Sequence, residues 1–267
     1  MKHVVLSASL AVLSLSAQSP DAKAPIQFEV AAFKHTADPS AAGLITHMAG
    51  ERGYHGVNMP LLQYIMVAYQ VRASQISGPD WLNTEFVDVE AKAEHTSTAD
   101  ELHQMLQHLL EERLHMTLHR ETRQESGYAL VVDTGGPKLK DHDPEDHVML
   151  PLNNGPGQHA GRNVSMQYLA FFLSQSVDQP VVDKTGLPDH YDFTLTWGYD
   201  GPMTVMRMDG PNAMPPPPGS GEIPVALAAS GTTIYEALRK QLGLRLDKTK
   251  VPAEYLVIDH IEKLSDN

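Results

Sequence analysis

The sequence predicts an α+β fold made of two similar halves, each running β-α-β-α-β-β, with mixed sheets and helices packed on one face. Three observations carry that prediction. Segments that alternate every second residue are interleaved with segments that repeat every three to four. The same series of segments occurs twice in the same order. One stretch, Pro180–Trp197, holds a complete strand–turn–strand unit on which much of the chain is patterned.

In that stretch Val181 and Val182 form a short β-branched strand. Asp183-Lys184-Thr185-Gly186 is turn chemistry, because Asp accepts a hydrogen bond from the backbone two residues on and Gly supplies a positive φ. Pro188 keeps Leu187 extended. Tyr191, Phe193, Leu195 and Trp197 then alternate with Asp192, Thr194 and Thr196, the pattern of a half-buried strand with its aromatics in the core.

In chain order, Met1-Lys2-His3 precedes the apolar run Val4–Leu15. This is a signal peptide by composition, assigned to residues 1–17, and too short to span a bilayer. The first half covers residues 26–137. Ile26–Phe33 is a predicted strand and Lys34–Arg52 a loop. Val57–Tyr69 is a predicted helix with Leu61, Leu62, Ile65, Met66 and Tyr69 on one face and Pro60 in its first turn. Ile76-Ser77-Gly78-Pro79 breaks the chain and Phe86–Ala91 is a strand. Thr98–Arg113 is the clearest helix: Thr98 and Glu101 make a capping box, and Leu102, Met105, Leu106, Leu109 and Leu110 form its stripe. Leu114–His119 and Tyr128–Asp133 read as two further strands.

Residues 138–158 are polar and read as a linker. The second half covers 159–263. It contains a helix over Val164–Ser174, capped by Asn163 or Ser165, then the central stretch. A Gly-, Pro- and Met-rich insertion follows over residues 198–231. After it come a helix over Ile234–Gly243 and strands over Leu244–Asp247 and Tyr255–Ile261.

The duplication is read from an ordered series of matches. Val57-Asn58-Met59-Pro60-Leu61-Leu62 aligns with Val164-Ser165-Met166-Gln167-Tyr168-Leu169. Val87-Asp88-Val89 aligns with Tyr191-Asp192-Phe193. The segment ending at Asp133 aligns with the one ending at Asp259. The aligned aspartates read as turn or edge residues.

A net charge of −13 and a pI near 5.4 exclude the clustered basic surface that nucleic acid or an anionic membrane requires. No second apolar run approaches the roughly 18 residues of a membrane span, so none is expected in the mature chain. The chain has no cysteine, which removes disulfides, thiol catalysis and cysteine-ligated metals.

No Gly-x-Ser-x-Gly, Walker, Gly-x-Gly-x-x-Gly or His-Glu-x-x-His motif occurs, and no cofactor is expected. His115 and His119, on a predicted strand, would lie about 13 Å apart along one edge, too far to share an ion. Met203, Met206 and Met208 in the insertion are weak candidates for copper(I). Candidate binding residues are the turn formers Gly78, Pro79 and Trp81 together with Asp183, Lys184, Thr185 and Gly186.

Several stretches together carry a family resemblance. They are Phe28-Glu29-Val30-Ala31, Ile76–Leu82, Val87–Ala93, His119–Arg123, Gly136-Pro137-Lys138-Leu139, Pro180–Leu187 and Val257–Lys263. The chain resembles a family of uncharacterised exported proteins associated with soil bacteria, whose domain is also found attached to membrane zinc peptidases of the BlaR/MecR type. The peptidase's transmembrane helices and His-Glu-x-x-His are missing here, so the resemblance implies no peptidase activity and transfers no catalytic residue. These readings together lead to an exported, periplasmic or secreted, non-enzymatic module binding an envelope protein, a peptide or a small ligand. The alternatives are a hydrolase of envelope polymers or peptides, or a periplasmic copper-binding protein.

Overall fold

A computed structural model describes residues 26–37, 43–47, 52–143, 152–153, 157–198 and 231–264. The segment expected to be a signal peptide, most of the insertion and Met203, Met206 and Met208 lie outside the described residues. The first half runs β1 (Val30–His35), β2 (Leu44–His47), β3 (Gly53–Pro60), α1 (Leu61–Tyr69), β4 (Ile76–Ser77), β5 (Phe86–Lys92), α2 (Ala99–Arg113) and β6 (Thr117–Val132). The second runs β7 (Lys140–Asp141), β8 (Leu152–Asn153), β9 (Gln158–Ser165), α3 (Met166–Val177), β10 (Val181–Asp183), β11 (His190–Thr196), α4 (Ile234–Ala237), a π turn over Leu238–Leu242, and β12 (Leu244–His260). The mixture of helices with largely antiparallel sheets is α+β.

Three four-stranded sheets result, ordered β1-β5-β3-β2, β10-β6-β12-β4 and β7-β11-β9-β8. The two outer sheets are antiparallel throughout and share one strand order. The central sheet is mixed. Its spine is the long antiparallel pair β6–β12, in which Leu244 stands opposite Val132 and Gln124 opposite Pro252. Short parallel strands flank it, and they are exchanged. β4 of the first half lies on β12 of the second, whereas β10 of the second lies on β6 of the first.

Local chemistry explains the helices. In α2 the Thr98 hydroxyl accepts from the Glu101 N–H at 3.2 Å, and the Glu101 carboxylate accepts from the Thr98 N–H at 2.9 Å. Its predicted apolar stripe is wholly buried. Ser165 is the α3 cap, accepting from the Tyr168 N–H at 3.2 Å. Its rival Asn163 takes a left-handed φ of 55° one step inside a strand bulge. The stripes of all four helices and the inner faces of the sheets meet in one apolar cluster drawn from both halves.

Several boundaries differ from expectation. Val57–Pro60 belongs to β3, so Pro60 stands before α1 as its N-cap rather than in its first turn. The predicted loop over Lys34–Arg52 includes the end of β1 and all of β2. The opening strand starts at Val30, whose side chain is 63% exposed, and it buries Ala31 and Phe33 in part. The predicted linker contains β7, β8 and the first residue of β9, each paired in the third sheet. Leu114–Met116 ends the α2 turn, with His115 at a left-handed φ of 46°, so the histidine lies outside the strand. From Thr117 the two predicted strands are one, β6. Leu244–Asp247 and Tyr255–Ile261 are likewise joined in β12.

The outer sheets also share a polar device. Asn58 and Asn163 occupy left-handed backbone positions, with φ of 48° and 55°, beside register shifts. Each N–H donates to an aspartate on the neighbouring strand: Asn58 to Asp88 at 2.9 Å and Asn163 to Asp192 at 3.0 Å. Asp88 also accepts from the Thr36 hydroxyl, and Asp192 holds the His142 imidazole at 2.7 Å. Burial pushes the Asp88 carboxyl up, but its hydrogen bonds from Asn58 and Thr36 outweigh that and hold it below the ordinary value. The structural equivalence of Asn58 with Asn163 places the first aligned motif two residues away from the sequence alignment. The Asp88–Asp192 match is unchanged.

Candidate functional site

A solvent-open cleft of about 500 Å³ lies where the halves meet over the central sheet. Its floor includes Pro252–Glu254 of β12 and Arg120 of β6. One wall is the end of α1 with Gln70 and Val71, joined by Gln107 of α2. The opposite wall is α3, which presents Gln167, Ala170, Phe171 and Ser174, and behind it lie Pro180–Asp183. The α3 positions recur at three- and four-residue spacing, so a single helical face supplies that wall.

The polar groups are held in defined places. Gln107 Nε2 donates to the Ala68 carbonyl at 2.7 Å, fixing its amide against the C-terminal end of α1. Gln75 Nε2 donates to the Glu254 carbonyl at 2.7 Å, so a side chain serves a main-chain acceptor on the outer edge of β12. Gln70, the left-handed C-cap of α1, places Nε2 2.8 Å from His103 Nδ1, and its Oε1 is buried. Arg120 is ion-paired with Glu254, and its guanidinium lies 5.5 Å from the centre of the Tyr69 ring. The Tyr69 hydroxyl donates to Glu111 at 2.9 Å. Burial is the main reason its pKa is raised, and the Glu111 hydrogen bond adds to it. The cleft is therefore amide-rich, with one self-compensated ion pair at its floor. Such a lining offers fixed donors and acceptors to a neutral polar ligand.

The expected binding residues divide into two groups that the fold keeps apart. Asp183 lies in the cleft lining. The Asp183 carboxylate accepts from the Thr185 N–H at 2.8 Å, Thr185 Oγ1 accepts from the Leu187 N–H at 3.2 Å, and Gly186 has a φ of 70°. Lys184 donates its N–H to the Leu130 carbonyl at 2.8 Å and exposes its side chain. These four residues form the turn that the sequence described, beside the cleft. Gly78, Pro79 and Trp81 follow β4 on the opposite edge of the central sheet. A side chain at Gly78 would meet Ile258 and Leu82, at 2.9 and 3.0 Å. The Pro79 carbonyl accepts from the Leu82 N–H, and Trp81 packs on the core with Lys263 Nζ 5.3 Å from its ring centre. That group shapes a turn away from the cleft.

Sequence reasoning missed Gln70, Gln107, Arg120, Gln167, Ser174 and Glu254. The 167/170/171/174 spacing was a signal, but nothing local says that this helical face lines a cleft. The aligned aspartates Asp133 and Asp259 are edge residues in ion pairs, Asp133 with Arg245 at 3.4 Å and Asp259 with His119 at 2.9 Å. Among the described residues no cluster of three metal-ligating side chains is assembled, and no helix is long and apolar enough to cross a membrane.

Fold and cleft together define an α+β protein with a shared, amide-lined cleft over an exchanged central sheet. By sequence, the chain belongs to the family described as Protein of unknown function (DUF3738), which matches residues 62–261, from α1 through β12. No curated protein and no solved structure matches the chain.

Proposed function

We propose that the protein is an exported, non-enzymatic recognition module whose ligand occupies the cleft between its halves. The observation that carries this reading is the lining itself. The first half contributes fixed amides, the second a turn carboxylate, and the two share an ion pair, in one open groove of about 500 Å³, within the range of small-ligand sites. Export rests on the charged-then-apolar N-terminal segment, with the resemblance to exported proteins as further support. The test is a thermal-shift screen of peptides, envelope oligosaccharides and small metabolites against the protein and its Gln167→Trp variant, at the exposed position of the α3 wall. A ligand that raises the melting temperature of the wild type and not of the folded variant supports the cleft. Equal shifts in both would move the site elsewhere.

The chain also reads as a tandem duplication in which the halves have exchanged their short parallel strands. Support comes from the common strand order of the outer sheets and the paired Asn58–Asp88 and Asn163–Asp192 devices. Truncation of either aspartate leaves a bulge N–H without its acceptor. Asp88→Ala and Asp192→Ala are each expected to lose about 1–3 kcal/mol, measured by chemical denaturation. A loss at one site with no change at the other would mean that the two devices are not equivalent.

A further inference from the structure

The long strand β6 has one edge against β12 and another that, among the described residues, only the short β10 covers. Parity shows which groups lie on it. The Tyr128 N–H donates to the Pro180 carbonyl and the Leu130 carbonyl accepts from the Lys184 N–H, both at 2.8 Å, so even-numbered residues of β6 turn their main-chain groups away from β12. The register is unbroken from Val132 to Leu118, so the same holds for Leu118, Arg120, Thr122, Gln124 and Ser126. β10 covers residues 128–130, and no backbone partner for those five is found among the described residues. Residues Thr117 and His119 to Gln124 are exposed.

The equivalent edge of β12 is treated differently. There Gln75 fills the Glu254 carbonyl, Pro252 brings no N–H, and Lys248 and Lys250 flank it with like charge. Those are the means by which proteins blunt a sheet edge. The β6 edge keeps every donor.

Its charges are self-complementary. His119, Glu121, Arg123 and Glu125 share one face of the strand. If β6 meets a second β6 antiparallel with Thr122 on the two-fold axis, Glu121 faces the second copy's Arg123 and His119 faces its Glu125. Moving the axis to position 121 sets Glu121 against itself and His119 against Arg123. Moving it to position 123 sets Arg123 against itself and Glu121 against Glu125. One register is thus favoured by cross-strand pairing, and its neighbours are penalised.

We propose that the open edge of β6 is a homodimerisation surface on which two copies of this chain pair antiparallel about Thr122. The pairing joins the two central sheets into one eight-stranded sheet through about ten main-chain hydrogen bonds, two for each outward-facing pair. The contact is isologous and closes after two copies. The Glu121–Arg123 contact within each strand, 2.7 Å, becomes a four-residue charge cluster across the axis.

Sedimentation velocity of the purified protein over a concentration series tests this. Wild type is expected to be a dimer that weakens with added salt. Glu121→Arg sets two like-charge pairs across the axis and is expected to weaken dimerisation about tenfold or more. The double variant Glu121→Arg/Arg123→Glu restores opposite charges and is expected to recover the dimer. Thr122→Pro removes an outward N–H without touching the β6–β12 ladder and is expected to be a folded monomer by circular dichroism. A wild type that stays monomeric at its highest soluble concentration overturns the proposal and leaves the edge to a foreign strand or to solvent. So does a dimer unaffected by these substitutions, or one not recovered in the double variant.

Discussion

Leu130→Ala is expected to lower folding stability by about 3 kcal/mol, within the range for buried leucine truncations. Leu130 is fully buried at the point where three strands meet. It pairs with Leu246 across β6–β12 and with Asp183 across β6–β10, and its carbonyl accepts from Lys184. Urea unfolding checks the size of the effect: a loss below about 1 kcal/mol would show that the central sheet relaxes around the gap. Because the residue belongs to one half and its partners to the other, the transition is expected to remain single, with one midpoint lowered rather than one lobe melting early.

Acidification is the second large effect. His159 is buried beside Trp197 and Phe172, with ring centres 4.8 and 5.5 Å away. The Ser176 hydroxyl donates to the Phe172 carbonyl and lies 3.0 Å from His159 Nε2, so it accepts from an Nε2–H tautomer. Among the described residues Nδ1 is then buried without a hydrogen-bond partner, and none of them offers a second proton an acceptor. Burial lowers the imidazole pKa from its ordinary value near 6.5 to about 4. The unfolded chain therefore binds the proton first. Stability from this group is complete above about pH 6.5, falls as pH drops toward 4, and levels off below that. At about 1.4 kcal/mol per unit, the full loss is about 3 kcal/mol. His159→Phe, which suits the aromatic surroundings, is expected to flatten the stability–pH curve in this window. An unchanged slope would assign the acid sensitivity to other groups.

The legibility of the sequence followed how locally each element is determined. Helix α2 was readable because its cap and stripe lie within sixteen consecutive residues, Thr98–Arg113. The Asp183–Gly186 turn was readable for the same reason. The middle of β6, residues 119–126, carries almost no apolar side chain because both its faces are largely in solvent. No alternation marks it, and one strand of sixteen residues reads as two short ones. β9 was hidden by its composition. One of its inward positions is Gly161, where a side chain would stand 2.8 Å from Phe193. Small residues chosen for close approach look like a loop. The cleft was least legible of all. Gln70, Gln167 and Glu254 are far apart in the chain and meet only because β4 and β10 cross to the opposite half.

That crossing also governs when the protein can fold. β4 waits for residues Leu256 and Val257, about 180 positions later in the chain, and the spine waits for β12, the last described element. During synthesis, the first half emerges with β6 complete on neither edge. Native pairing of this span is long-range and slow to nucleate. A chain arranged in this way leaves its central sheet unformed until nearly all of it has been synthesised. It then closes around its final strand, so a polypeptide truncated before β12 is expected to lose both lobes rather than keep one.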